Sequence, residues 1–221
     1  MANHEQSFAD EFNKFMREKA LARGMRIHAF SLDGQDRDAG ADYVLTDANR
    51  FAMVEFKYTA SSLISESHKP RRLKLCQELA RAPEMRRLHD LCHFIAWTQT
   101  PQLTVRLNVY RHEICTARVF GSEFRPISAA DAESRVNATR FADDFLDGSE
   151  DKLLSLEEFN VYVQWVLTQT SGATRSTLEL VTSDVVSGDL LLIRLNSFKD
   201  AKDWLERNWP LPPAARHSYT P

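Results

Sequence analysis

Cysteine and glycine are both scarce in this sequence, and each shortage narrows the class of protein. The 3 cysteines, an odd number without regular spacing, fit a reducing compartment better than a disulfide framework. The 7 glycines form neither a glycine-rich phosphate loop nor a Gly-x-Ser-x-Gly elbow. Loops that cradle nucleotides are therefore not expected.

Long apolar runs are missing as well. The run Leu190-Leu191-Leu192-Ile193 is far too short to cross a bilayer, and the N-terminus has neither the basic head nor the apolar core of a signal peptide. A composition of 43% hydrophobic and 27% charged residues over 221 positions is ordinary for a soluble globular chain of one domain, with or without an appendage. We therefore expect a cytoplasmic protein with no membrane partner.

Charge is unevenly distributed along the chain. The net charge of −3 gives no global nucleic-acid signal, but basic residues concentrate between His68 and His89, and acidic residues between Asp131 and Glu158. A basic segment can bind phosphates, although a solvated helix face has the same composition. Both interpretations stay open at this point.

The order of apolar patterns predicts an α/β fold with a central mixed β-sheet flanked by helices. Residues 1–125 would form its core, and residues 126–221 an α-β-β-α extension or a small second lobe. A polar stretch, 126–148, would link the two. The expected helices cover 7–24 with Ser7 as cap, 70–89 with a break at Pro83, 153–168 and 198–209; the expected strands cover 25–32, 43–45, 51–58, 94–98, 103–114, 177–182 and 189–195.

Asp42, Glu55 and Lys57 are the strongest candidates for chemistry. Asp42 opens one predicted strand and Glu55-Phe56-Lys57 closes its neighbour, so the three side chains can converge. Residues i and i+2 share one face of a strand, which places Glu55 beside Lys57 and turns Phe56 into the core. Mg²⁺ takes carboxylate oxygens, and a backbone carbonyl such as that of Phe56 can add another ligand. This combination suits metal-dependent hydrolysis of a phosphodiester.

The same residues resemble the PD-(D/E)xK nuclease superfamily, which includes restriction endonucleases. Asp42 and Glu55-Phe56-Lys57 carry the likeness, with Ala41 where the family name has proline. The predicted order of helix, three-strand meander, helix and strand is similar too. The resemblance implies a restriction-endonuclease-like core over residues 7–115 and a magnesium- or manganese-dependent hydrolase that cuts DNA. Asp42, Glu55 and the Phe56 carbonyl would bind the metal, and Lys57 would be the catalytic lysine.

Further roles follow only from this resemblance. Some members add a glutamate from the first helix, and here Glu11 or Glu18 would supply it, with Glu11 preferred. Some members carry a basic or amide residue on the helix after Glu-x-Lys, and here Lys69, Arg72, Lys74 or Gln77 would supply it. The basic cluster would contact the nucleic-acid backbone through Lys69, Arg71, Arg72 and Lys74. Pairing of two chains, or a larger complex, is compatible with nucleases of this kind.

Several other interpretations compete. A catalytically inactive module of the same fold would bind nucleic acid or a partner protein. A plain interaction protein, for instance an inhibitor or adaptor, would carry Glu55 and Lys57 only as a surface ion pair. His89 with Cys92, and His112 with Cys115, have zinc-like spacing, although buried structural cysteines are preferred. The acids Asp33, Asp36 and Asp38 fail the EF-hand pattern and are expected in a solvated turn, where Asp36 or Asp38 would at most assist a metal.

Overall fold

A mixed sheet forms the centre of the computed structural model. The structure describes residues 2–32, 40–47, 49–99, 104–121, 124, 131–148, 154–170, 178–183 and 190–208. Its strands are β1 (His28–Ser31), β2 (Tyr43–Thr46), β3 (Phe51–Thr59), β4 (His93–Gln99), β5 (Thr104–Val109), β6 (Val136–Asn137), β7 (Leu178–Ser183) and β8 (Leu190–Leu195). Its helices are α1 (Ala2–Leu21), α2 (Pro70–Arg81), α3 (Pro83–Cys92), α4 (Tyr110–Ile114), α5 (Ala117–Phe120), α6 (Ala138–Asp147), α7 (Leu156–Thr170) and α8 (Phe198–Asn208), and a 3₁₀ segment covers Ala60–His68.

The described strands are ordered β6-β5-β4-β3-β2-β1-β7-β8 in the sheet. Strands β1, β2 and β3 form an antiparallel meander, whereas β3 and β4 are parallel. Parallel neighbours need a crossover, and the 3₁₀ segment with α2 and α3 supplies it. The α/β class and the helix-flanked mixed sheet expected from the sequence are confirmed.

Helices cover both faces of the sheet, so β3 is buried along most of its length. On one face Phe51 and Met53 pack with residues of α2, α3, α7 and α8. On the other, Val54 and Phe56 pack with α1 and α6, where Phe56 meets Phe8 and Phe12 edge to face at ring-centroid distances of 5.3 and 5.4 Å. Glu55 and Lys57 lie on the same face as Phe51 and Met53, and hence under the crossover.

Three sequence predictions of local structure are wrong. Helix α1 begins at Ala2, which places Ser7 inside the helix rather than at its cap. The strand expected over 103–114 ends at Val109, and α4 and α5 follow. The part of the stretch 126–148 that the structure describes, 131–148, is not a linker, because it contains β6 and α6, and Phe141 and Phe145 pack into the core.

The described C-terminal elements join the same sheet. Strand β6 pairs with β5. Strand β7 pairs with β1 on one side and with β8 on the other. Helix α7 contributes Phe159, Tyr162 and Val166 to the core on the face that α2 and α3 cover. Through α7, residues beyond position 126 thus contact the crossover helices α2 and α3.

Cys76 and Cys115 form a disulfide with a Cα–Cα distance of 5.3 Å, whereas Cys92 is a free buried cysteine. The expectation of unpaired cysteines is thus wrong for two of the three. The bridge ties α2 to the segment after α4 across 39 residues of sequence. None of the described helices is both long and apolar enough to span a bilayer.

Replacing Cys115 by serine should lower the free energy of unfolding by about 3–4 kcal/mol, because the unfolded chain regains the freedom that the closed loop removes. Urea unfolding of the oxidised wild type and of Cys115→Ser measures this difference. Added reductant should bring the wild type to the level of the variant and leave the variant unchanged. Insensitivity of the wild type to reductant would contradict the bridge.

Candidate active site

Asp42 lies close to Glu55, just past the last paired residues of β2 and β3. The antiparallel pairing of β2 and β3 ends at Tyr43 and Val54, so Asp42 immediately precedes the last paired residue of β2 and Glu55 immediately follows that of β3. The backbone N–H of Asp42 donates to the Val54 carbonyl at 3.0 Å, and the Phe56 N–H donates to Asp42 Oδ2 at 2.7 Å. Because Phe56 directly follows Glu55 in β3, this contact holds the Asp42 carboxylate close to Glu55. The two carboxylates predicted from sequence are therefore neighbours.

Glu55 and Lys57 form a buried ion pair rather than a surface one. Glu55 is 1% exposed and Lys57 4% exposed. Lys57 Nζ donates to Glu55 Oε1 at 2.5 Å and to the Phe56 carbonyl at 3.1 Å. Removing one partner of a buried pair leaves an uncompensated charge and costs roughly 3–5 kcal/mol. The surface interpretation of Glu-x-Lys is wrong.

A third acid, Glu66, completes the cluster and was not identified from the sequence. The 3₁₀ segment brings its fully buried carboxylate over the Glu55–Lys57 pair. Glu66 Oε1 lies 3.2 Å from Lys57 Nζ and 2.7 Å from Lys69 Nζ, while Lys69 Nζ also lies 3.1 Å from Glu55 Oε1. Its other oxygen, Oε2, accepts from Arg72 Nε at 3.2 Å and from the Tyr110 hydroxyl at 2.7 Å.

The electrostatics of the cluster shift the pKa values of Asp42 and Glu55 in opposite directions. Burial and repulsion by Glu55 raise the pKa of Asp42 to about 8. Burial would also raise the pKa of Glu55, but attraction by Lys57 and Lys69 outweighs it and holds that pKa well below its ordinary value. Burial opposes the charge of Lys57, yet Glu55 and Glu66 raise its pKa above the ordinary value. Glu55 is thus the permanent anion and Lys57 the permanent cation.

A chain of buried hydrogen bonds fixes the backbone just before Asp42. The Gly40 carbonyl can only accept, so His93 Nε2 carries the proton in their 2.7 Å contact. His93 Nδ1 then accepts from the Tyr162 hydroxyl at 2.8 Å. That hydroxyl in turn accepts from His89 Nδ1 at 2.6 Å, since His89 Nε2 accepts the Arg111 N–H at 3.1 Å. The order of donors requires both imidazoles to be neutral.

The residues predicted to contact nucleic acid are placed in different surroundings. Arg71 and Lys74 are exposed on α2, and the Lys69 side chain is 42% exposed. Arg72 is 1% exposed and turned toward Glu66, which corrects its assignment to the nucleic-acid backbone. Gln77 is exposed on α2 as well.

Helix α1 does not bring its expected glutamate to the cluster. The Glu11 side chain is 75% exposed and lies 3.8 Å from Lys14 across one helical turn, and Glu18 is exposed too. Glu11 therefore faces solvent, which corrects its assignment as a metal ligand. A different residue of this helix reaches β3: Glu5 Oε1 accepts the Tyr58 N–H at 3.4 Å.

The donor chemistry of the site suits a hard divalent cation. Asp42, Glu55 and Glu66 offer carboxylate oxygens, which Mg²⁺ and Mn²⁺ accept. Within the described ranges, no group of three or more histidine, cysteine, aspartate or glutamate side chains is arranged as a metal site. The oxygens of Glu55 and Glu66 instead face the ammonium groups of two lysines, so a metal would have to compete with a side-chain cation.

The competing zinc and calcium interpretations do not find support in the described residues. Cys115 belongs to the disulfide, and His112 Nδ1 contacts the Ser134 hydroxyl at 3.2 Å. His112 lies in α4, where the sequence predicted a strand. Cys92 is buried, as preferred from sequence. Asp33, Asp36 and Asp38 lie outside the described residues.

Comparison of the chain with known protein families, with curated proteins and with solved structures finds no match in any of the three. The likeness to PD-(D/E)xK nucleases therefore stays a prediction that depends on Asp42, Glu55 and Lys57 and on the order of elements around them.

Gly40 is a position where alanine should be harmful for two separate reasons. Its φ of +83° disfavours a side chain, and an added Cβ would lie 2.9 Å from Arg72 Nη1 and 3.3 Å from His93 Cε1. Gly24 has a similar φ of +68° but open space around it. Gly40→Ala should therefore lower the free energy of unfolding more than Gly24→Ala, by roughly 1–3 kcal/mol. Equal losses in urea unfolding would show that the close approach is unimportant.

His93 should make stability depend on pH. Burial lowers its pKa from 6.5 to about 4. As the pH falls below 6.5, His93 takes up a proton in the unfolded chain, whereas in the folded protein it stays neutral until about pH 4. The contribution of neutral His93 to the free energy of unfolding is therefore complete above pH 6.5 and is lost on acidification. Relative to His93→Gln, the wild type should lose about 1.4 kcal/mol between about pH 7.5 and pH 5.5. Urea unfolding at both values tests this, and a constant difference would contradict it.

Proposed function

We propose that this chain is a metal-dependent nuclease that hydrolyses phosphodiester bonds, with DNA as the expected substrate and Mg²⁺ or Mn²⁺ as the cofactor. The observation that carries the proposal is the convergence of Asp42, Glu55 and Lys57 at the end of the β2–β3 pair, on a buried face where such charges are otherwise avoided. Perturbed titratable groups gathered at one strand end are typical of functional sites.

Each residue has a role that follows from its surroundings. Asp42 and Glu55 would hold the metal, which when bound would polarise the phosphate and offset the charge that develops on it. The Phe56 carbonyl accepts from Lys57 at 3.1 Å and would be the further ligand that the sequence predicts. Lys57 keeps its proton, so it acts as a fixed positive charge beside the scissile phosphate rather than as a base. The exposed Arg71 and Lys74 would contact the nucleic-acid backbone.

One observation favours the alternative of an inactive module on the same fold. The charges of Glu55 and Glu66 are already matched by Lys57, Lys69 and Arg72, and such a saturated network also serves as a structural element. An inactive module would bind nucleic acid or a partner protein in a larger assembly. It would not bind Mn²⁺ through Asp42 and Glu55, which separates the two functions.

Asp42→Asn and Glu55→Gln should each reduce metal-dependent DNA cleavage at least about 100-fold, because either change removes a negative ligand of the cofactor. Cleavage of plasmid and of single-stranded DNA with Mg²⁺ or Mn²⁺ is the measurement, with circular dichroism to verify the fold. Asp144→Asn is the control, since Asp144 is a partly exposed acid paired with Arg140 on α6, and this variant should retain activity. Undiminished cleavage by either site variant would reject the assignment.

A further inference from the structure

We propose that Glu66 is an additional carboxylate ligand of the divalent cation, and that the ammonium group of Lys69 occupies the cation position until the metal displaces it. This inference rests on the proposed metal-dependent function and names residues that the sequence pattern did not assign to metal binding. It makes the site one in which a lysine of the chain itself competes with the metal.

The first support comes from the two oxygens of Glu66. Oε2 is satisfied by Arg72 and Tyr110. Oε1 is fully buried and, among the described residues, accepts no well-aligned hydrogen bond, although two ammonium nitrogens lie within 3.2 Å. A buried, charged oxygen held near cations without a directed hydrogen bond provides an electrostatic site for a positive ion.

The second support is the shared use of oxygens by the two lysines. Glu55 Oε1 lies 2.5 Å from Lys57 Nζ and 3.1 Å from Lys69 Nζ. Glu66 Oε1 lies 3.2 Å and 2.7 Å from the same two nitrogens. Two carboxylates from different elements thus converge on one point, and a cation bound there gains from both. A divalent ion gains twice the charge interaction from the same pair of oxygens.

The third support is the difference between the lysines. The Lys57 side chain belongs to the central strand β3, is 5% exposed and contacts both carboxylates, so it is held inside the cluster. The Lys69 side chain is 42% exposed and belongs to the single residue between the 3₁₀ segment and α2. Its long, flexible stem can turn into solvent at little cost. Only Lys69 is placed to exchange with a metal.

Charge balance gives the exchange a consequence for substrate. The ion-paired part of the cluster consists of the carboxylates of Glu55 and Glu66 and the cationic groups of Lys57, Lys69 and Arg72. Replacing the single positive charge of Lys69 by a divalent ion makes the cluster more positive by one charge, which equals the single negative charge of a phosphodiester. The released Lys69 would join the exposed Arg71 and Lys74 on the side of α2 that faces solvent.

Mn²⁺ titration by calorimetry tests the exchange without any activity assay. Lys69→Met should bind Mn²⁺ at least about tenfold more tightly than the wild type, and Glu66→Gln at least about tenfold more weakly. Lys74→Met removes the same charge from an exposed position of α2 and should change affinity less than about twofold. Glu113→Gln is the control for loss of a buried carboxylate, since Glu113 faces Asn108 and Arg135 instead.

Chemical labelling supplies an independent readout on the intact wild type. Acylation of lysines with a water-soluble ester, mapped by mass spectrometry, should accelerate at Lys69 several-fold when Mn²⁺ is added, because the ammonium group leaves its carboxylates. Lys74 in the same sample should label at a constant rate. Displacement by metal is thereby separated from a general effect of ions on the protein.

The outcomes distinguish the inference from the proposed function. Tighter Mn²⁺ binding by Lys69→Met, together with faster labelling of Lys69 in the wild type, supports the exchange. Mn²⁺ binding by Lys69→Met but not by the wild type supports it as well. If wild type and both lysine variants bind Mn²⁺ equally, or Glu66→Gln binds as the wild type does, the exchange is rejected while the metal-dependent function stands. If no variant binds Mn²⁺, the exchange and the proposed function are both rejected.

Discussion

Much of this molecule depends on keeping the ammonium group of Lys57 buried between two carboxylates. The side chains of β3 alternate between two covered faces, so shifting the strand by one residue would move Glu55 and Lys57 into the apolar core formed with α1. The charges therefore fix the register of β3 as strictly as the aromatic residues do. They also require the 3₁₀ segment to supply Glu66, since a single carboxylate would leave Lys57 and Lys69 incompletely paired.

A series of buried hydrogen bonds, rather than an ion pair, positions the Asp42 side of the site. The Gly40 carbonyl is held by His93, whose ring is oriented by Tyr162 of α7. The C-terminal part of the chain thereby contributes to the geometry of a site formed from N-terminal strands. Because each donor in this series has a single acceptor, the backbone before Asp42 has one favoured position, and the carboxylate is presented to Glu55 by hydrogen bonds rather than by packing alone.

How much of this was visible in the sequence differs between residues. Asp42, Glu55 and Lys57 were found because strand alternation and one turn determine their neighbours. Glu66 was missed because its Ser-rich 3₁₀ segment has no apolar period, although its spacing of three from Lys69 was a signal. Arg72 was assigned to the surface by its charge, yet it shares the helical spacing of the buried Leu75, Cys76 and Leu79. The disulfide required knowledge of which helices meet, which local patterns do not contain.

The Cys76–Cys115 bridge encloses β4, the strand that pairs in parallel with β3. If the two ends of the chain were pulled apart, the segment between Cys76 and Cys115, which are 39 positions apart, would bear no tension. The disulfide would carry the force instead. Strand β4 would thus be shielded from direct extension, while β3 and the Asp42 turn lie outside the loop and take the force. In its oxidised form, the chain would lose its candidate active site before the strand beside it could be extended.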